Sequence, residues 1–242
     1  MSFLEVESLD VRHGLLQAVR GISFHVDKSE IVTFIGANGA GKTTLFRAIA
    51  GAHKPVAGRV LLNGADVTSM PAYDRVRAGI ALVPEGRRLF TEMSIHENLV
   101  LAGATGRGGQ WNLDAVLDVF PNLAPRLRQK TGTLSGGEQQ ATAIARALMT
   151  NPDVLLLDEV SLGLSPAAVD RVYESLETLI QAGTTLLLVE QDLNRALAVA
   201  NRVICMLEGE VVAQGPVSDM PRERIMQAYF GMNGTQARRI ES

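Results

Sequence analysis

The chain has 242 residues, 46% of them hydrophobic, which suffices for one buried core or for a core carrying a small insert. A formal charge of −3 with no basic run argues against a nucleic-acid binder, and the single Cys205, in the apolar run VICML, rules out an intrachain disulfide framework and points to a reducing compartment. No stretch approaches the roughly 20 apolar residues of a membrane span, and the acidic start MSFLEVESLD is no signal peptide, so a cytoplasmic protein is expected whose membrane role comes through a partner.

Residues 3–9 and 19–26 alternate well enough to predict antiparallel strands, with turns at Gly21 and Lys28–Ser29. IVTFI at 31–35 reads as a buried strand ending at Gly36, and Lys42–Ala50 continues as a helix. A short strand at 59–62 follows, then a helix through 78 with Pro71 in its first turn, then the strand IALV at 80–83, stopped by Pro84. The middle turns helical: 94–102 with Ser94 and Glu97 as a capping box, a flexible turn TGRGGQ, a helix at 112–119 and a strong one at 136–149. Beyond it, strands at 154–157, 185–190, 202–207 and 211–214 alternate with helices near 166–181 and 192–200. Ser165–Pro166 opens the first of these helices, and Glu208-Gly209-Glu210 marks a hairpin turn.

Alternating strands and helices predict an α/β fold with a mostly parallel sheet covered on both faces, an N-terminal antiparallel part and an inserted helical subdomain. The expected organisation is one domain over 1–232, its core at 1–85 and 151–232, its helical subdomain at about 86–150, and a polar tail at 233–242.

Three segments carry chemistry. The first is GANGAGKTT, which fits the phosphate-loop pattern G-x-x-x-x-G-K-[ST] through Gly36, Ala37, Asn38, Gly39, Ala40, Gly41, Lys42, Thr43 and Thr44. Its glycines let the backbone wrap an anion with N–H groups pointing inward, and the helix behind it adds a positive end. Lys42 is expected at the β- and γ-phosphates, the Thr43 hydroxyl on Mg2+, and Thr44 at the α-phosphate.

The second is VLLLDE, Val154 to Glu159, an apolar strand ending in two carboxylates, where ligands of a parallel sheet collect. Asp158 is expected to hold Mg2+ through a water, and Glu159 to polarise the attacking water as general base. The third is LSGGEQQ, Leu134 to Gln140. Ser135 and Glu138 make a capping box, but two glycines in a first helical turn cost about 1 kcal/mol each relative to alanine. They bare N–H groups to an approaching anion, which suggests a phosphate brought by another molecule.

GANGAGKTT, LSGGEQQ and VLLLDE, in this order and spacing, resemble the ATP-binding subunit of an ABC transporter over roughly residues 3–232. VPEGRRLF at 83–90, DEVSLGLSP at 158–166, LLVEQDLNRAL at 187–197 and QAYFG at 227–231 resemble the branched-chain amino-acid importer type. The resemblance implies a P-loop NTPase fold and ATP hydrolysis, with Mg2+, coupled to uptake of a small solute. It implies a second cassette, identical or different, packed head to tail, with Leu134, Ser135, Gly136, Gly137 and Glu138 reaching the ATP of the partner subunit. It also implies two membrane permeases, an external solute-binding protein, and a peripheral place on the inner face of the cell membrane.

The sequence departs from that family in several places. His13 stands where an aromatic residue, often tyrosine, stacks on adenine; it is read as the base platform or as a surface histidine. Val19 packs near the ribose or is a plain strand residue. Glu85 replaces a glutamine in the loop that couples ATP to the permease, and is read as reaching Mg2+ or its water, or as a solvated loop residue. Gln191 replaces a histidine and is read as a hydrogen-bond donor to the γ-phosphate, or as a polar helix-start residue, which leaves base catalysis to Glu159. Leu164 and Val160 replace an aspartate and a proline. The rival readings are a non-transport ATPase of the same family and a regulatory module that binds nucleotide with little hydrolysis.

Overall fold

The computed structural model describes residues 2–104 and 106–230. The first elements are β1 (Leu4–His13), β2 (Leu16–Val26), β3 (Ile31–Ile35), α1 (Lys42–Ile49), β4 (Ala57–Leu62), β5 (Ala65–Asp66), α2 (Ala72–Ala78) and β6 (Ile80–Val83). Then come α3 (Ile95–Gly103), α4 (Leu113–Val119), α5 (Gly136–Leu148), β7 (Val154–Asp158) and α6 (Pro166–Gln181). The last are β8 (Thr185–Val189), α7 (Leu193–Val199), β9 (Arg202–Leu207), β10 (Glu210–Pro216) and α8 (Arg222–Phe230). They fall in two units, Met1–Met70 with Leu187–Ser242, and Pro71–Leu186.

In the first unit β1 pairs antiparallel with β2, from Leu4 against Val26 to His13 against Leu16, and β4 lies on its other side. The turn expected at Gly21 lies instead at Gly14 and Leu15. Gly21 sits within β2, where three steps along β2 match two along β1, from the Leu9–Ile22 pair to the Val11–Val19 pair. Such a bulge leaves a backbone donor outside the ladder, and here Gly21 N–H finds the Asp10 carboxylate at 3.2 Å. The second sheet of this unit runs β10, β9, β3, with β3 parallel to β9 and β10 antiparallel. Every residue of β3 is buried, as expected of a parallel strand covered on both faces. Phe34 on β3 meets Phe24 of β2 and Phe46 of α1 edge-on, each pair with ring centroids 5.2 Å apart. That column fixes α1, and so the loop before it. Helix α8, not expected from the sequence, inserts Ile225 beside Ile35, Val203, Cys205 and Met220. The polar tail expected at 233–242 lies outside the described residues.

In the second unit β6 and β7 pair in parallel, Ile80 with Val154 through Val83 with Leu157. Helices α3 and α5 are N-capped by Ser94 and Ser135, each with the reciprocal serine–glutamate box expected. Pro71 is the N-cap of α2, one position earlier than the first helical turn assigned to it from the sequence. The TGRGGQ turn begins at Thr105, outside the described residues, and the rest of it is fastened down. Arg107 pairs with Asp153 and donates to the Asn151 carbonyl at 3.0 Å, while Asn151 exchanges hydrogen bonds with the Trp111 backbone. Strand β8, buried at all five positions, spans the division between the units. Among the described residues no helix is long and apolar enough to cross a membrane.

Candidate functional site

The phosphate loop follows from its neighbours. Strand β3 delivers Gly36 against β9 so closely that a Cβ there would lie 2.2 Å from the Met206 carbonyl oxygen. At the other end Gly41 has φ of 96°, the left-handed region, and a Cβ would lie 2.2 Å from the Ala18 oxygen. Only glycine, which has no Cβ, fits at either end. The β9–β10 turn clasps the loop: Gly209 N–H donates to the Ala40 carbonyl at 3.1 Å, and the Gly209 carbonyl accepts from Arg20 N–H at 2.8 Å.

Within this frame Lys42 is 5% exposed, and its ammonium donates to the carbonyls of Gly36 at 2.6 Å and Ala37 at 3.0 Å. Helix α1 starts at Lys42 with no side-chain cap and no acidic residue in its first turn. A buried ammonium and an uncapped positive helix end make an anion cradle. Beside it His13, the exposed last residue of β1, lies with Nε2 3.1 Å from the Thr44 hydroxyl.

The second unit holds the acidic groups. All five residues of β7 are buried, Asp158 completely. Glu159, half-buried, has φ of 50°, a conformation that costs a non-glycine residue about 1–2 kcal/mol. Strain of this kind collects where a side chain must be aimed. Because Val83 is opposite Leu157, the β6–β7 register puts the exposed Glu85 at the same strand edge as Asp158 and Glu159.

The Leu134–Glu138 turn is a built helix start. The Ser135 hydroxyl donates to the Glu138 carboxylate at 2.7 Å and accepts from Glu138 N–H at 3.4 Å. The Ser135 hydroxyl, and then its backbone N–H, hold the Glu138 carboxyl below the ordinary 4.5, and Arg126 and Arg171 add to this against the opposing effect of burial. Gly137 has a packing reason beyond bared amides: a Cβ on it would stand 2.8 Å from that of Ala168 on α6. The turn after β6 is tied to this helix. Arg87 donates to the side-chain oxygens of Gln139 at 2.9 Å and Gln140 at 3.3 Å.

The ABC transporter family model matches residues 19–161. The chain belongs to the ABC transporter family. The high-affinity branched-chain amino acid transport ATP-binding protein BraG of Pseudomonas aeruginosa is 40% identical to it over 231 residues, 94% of this chain and 99% of that one. The probable branched-chain amino acid transport ATP-binding protein LivF of Archaeoglobus fulgidus is 34% identical over 90% of this chain and 93% of its own. A nucleotide-free ATP-binding cassette from an ABC transporter matches with a TM-score of 0.81 at 27% identity, over 95% of this chain and 99% of that one.

The fold is accordingly that of an ABC ATPase, an α/β P-loop domain. Within this cassette His13 meets Thr44 of the phosphate loop. Val19, expected near the ribose or as a strand residue, is wholly buried opposite Val11. Gln191 is exposed after β8, next to a Glu190 only 2% exposed, and Asp192 caps α7 through the N–H groups of Asn194 and Arg195. Two residues escaped the sequence. His53 sits against His13, and Arg146 on α5 holds the turn after β6. No spacing signals either, since each meets its partner only through tertiary folding.

Proposed function

We propose that this cassette hydrolyses ATP to drive a membrane importer of a small solute, with branched-chain amino acids as the cargo. Membership of the family makes it an ATP-hydrolysing transporter subunit. The single observation that carries the reading at the level of residues is the clasped loop, with a buried Lys42 ammonium across its backbone.

Lys42, with the backbone from Gly36 to Thr44, neutralises and orients the phosphates; Thr44 sits at the α-phosphate and His13 under the base, with Val19 in the strand behind. Thr43, Asp158 and Glu85 offer the hydroxyl and carboxylate oxygens that a hard cation takes, and Mg2+ when bound supplies positive charge to phosphate oxygens. Glu159 accepts the proton of the attacking water, and Gln191 donates a hydrogen bond toward the γ-phosphate. Leu134, Ser135, Gly136, Gly137 and Glu138 reach the ATP of a second cassette, identical or different. One domain over 1–232, with core 1–85 and 151–232 and helical subdomain 86–150, carries these roles. The working assembly adds two permeases and an external solute-binding protein, with the cassettes on the inner face of the membrane.

The test is steady-state ATPase and nucleotide titration on Glu159→Gln and Lys42→Ala. Glu159→Gln is expected to keep ATP affinity and lose roughly 10²–10⁴-fold in turnover, the usual worth of a general base. Lys42→Ala is expected to lose tight binding. Near-normal turnover in the first, or unchanged affinity in the second, removes that residue from its role.

A further inference from the structure

We infer that His53 is a positioning residue for the nucleotide base, holding the His13 ring in place beside the phosphate loop; the inference rests on the assignment of His13 to the base made above. The two rings lie with centroids 4.5 Å apart at an interplanar angle of 59°, a close tilted aromatic contact. His53 is half-buried and His13 exposed, so His53 is the inner partner.

His53 is itself fixed. Its Nε2 lies 2.9 Å from the carbonyl oxygen of Arg12. A carbonyl can only accept, so Nε2 carries the hydrogen and the tautomer is set. The bond ties His53 to the residue just before His13. The backbone N–H groups of Ala52 and His53 both donate to the Arg47 carbonyl, at 2.8 and 3.1 Å, which anchors the histidine to the end of α1. At the start of the same helix Thr44 meets Nε2 of His13 at 3.1 Å. Helix α1 and the turn that follows it therefore hold the His13 ring at two points, through Thr44 and through His53.

This arrangement answers a weakness of the sequence. Imidazole offers less stacking area than phenol. An exposed side chain also loses rotamer freedom when a ligand orders it, and a ring already held avoids that cost. His53 supplies the second ring that makes His13 a preformed edge of the base site. The two residues, far apart in the chain, meet only because β1 and the end of α1 converge.

The test separates the base from the phosphates. The full chain, without divalent metal, is titrated with ATP and with inorganic tripolyphosphate, which has the anion and no base. His13→Ala, His53→Ala and His53→Phe are compared with the parent. His53→Ala is expected to raise the Kd for ATP roughly 3–10-fold, the worth of an aromatic contact, and to leave tripolyphosphate affinity within about twofold. His53→Phe, which keeps a ring, is expected to fall nearer the parent. If His13→Ala weakens ATP and His53→Ala does not, the bracing role is overturned while the base assignment stands. If His13→Ala leaves ATP affinity unchanged, the base assignment falls and takes the inference with it. If His53→Ala weakens both ligands alike, its effect is general to the fold and the inference is overturned.

Discussion

Arg146 reaches from α5 to the main chain of Arg88: its guanidinium donates to the Arg88 carbonyl at 2.8 Å, and a second nitrogen reaches the Arg87 carbonyl at 3.2 Å. Both of those turn residues are left-handed, with φ of 63° and 51°, at roughly 1–2 kcal/mol each for a side chain with a Cβ. The guanidinium is desolvated enough to lower its pKa and lies 5.8 Å from the centroid of the Phe90 ring. Arg146→Met is therefore expected to destabilise the protein by about 1–3 kcal/mol, the cost of leaving those carbonyls without their donor. Arg88→Gly in that background is expected to recover about 1 kcal/mol by relieving the strained φ. Urea unfolding of the four proteins of the cycle measures both. An Arg146→Met protein as stable as the parent would mean that Arg146 does not hold the turn.

The two glycines of the signature turn differ in what surrounds them. Gly137→Ala drives a Cβ to 2.8 Å from the Ala168 Cβ, which has no rotamer by which to retreat. Helices α5 and α6 must separate, at about 1–3 kcal/mol for overpacking. Gly136→Ala meets only the tips of Arg87 and Leu164, at 3.3 and 3.4 Å. Those ends can move, and the gain of up to about 1 kcal/mol in helix propensity offsets the crowding. Thermal unfolding is expected to rank Gly137→Ala well below Gly136→Ala; equal losses would contradict the packing account.

Acid is expected to loosen the two boxed helix starts. In the Glu97 box the Ser94 backbone N–H and then its hydroxyl lower the carboxyl pKa below 4.5; in the Glu138 box the Ser135 hydroxyl leads. A folded pKa below the unfolded one means that the carboxylate form stabilises above the unfolded value, and that this contribution disappears as pH falls through the lowered folded value. The stability difference between the parent and Glu138→Gln, taken from urea curves, is expected to be full above pH 4.5 and to shrink below it. A difference that stays constant into the acid range would show that the charge plays no part.

Local chemistry was the legible layer. IVTFI, the loop glycines, VLLLDE and both serine–glutamate boxes are read within a few residues of themselves, and each forms where its pattern puts it. Gly21 misled because a glycine signals a turn or a bulge alike; only the pairing with β1 decides, and the actual turn at Gly14 and Leu15 carries a fully exposed leucine. Helix α8 hid because it commits little to the core, with Ile225 as its one wholly buried side chain among those described. His53 and Arg146 were invisible for a stronger reason. Their partners, a neighbouring ring and a backbone carbonyl, lie far away in the chain, and a carbonyl leaves no mark on residue type.

The clasp of Gly209 on Ala40 bears on how the protein comes into being. Residues early in the chain shape the loop, yet the hydrogen bonds that secure it come from a turn made much later. A growing polypeptide that has emerged only as far as β8 would hold the glycines and Lys42 without the strand and turn that seat them. The loop is therefore seated late in synthesis, once β9 and its following turn have joined β3.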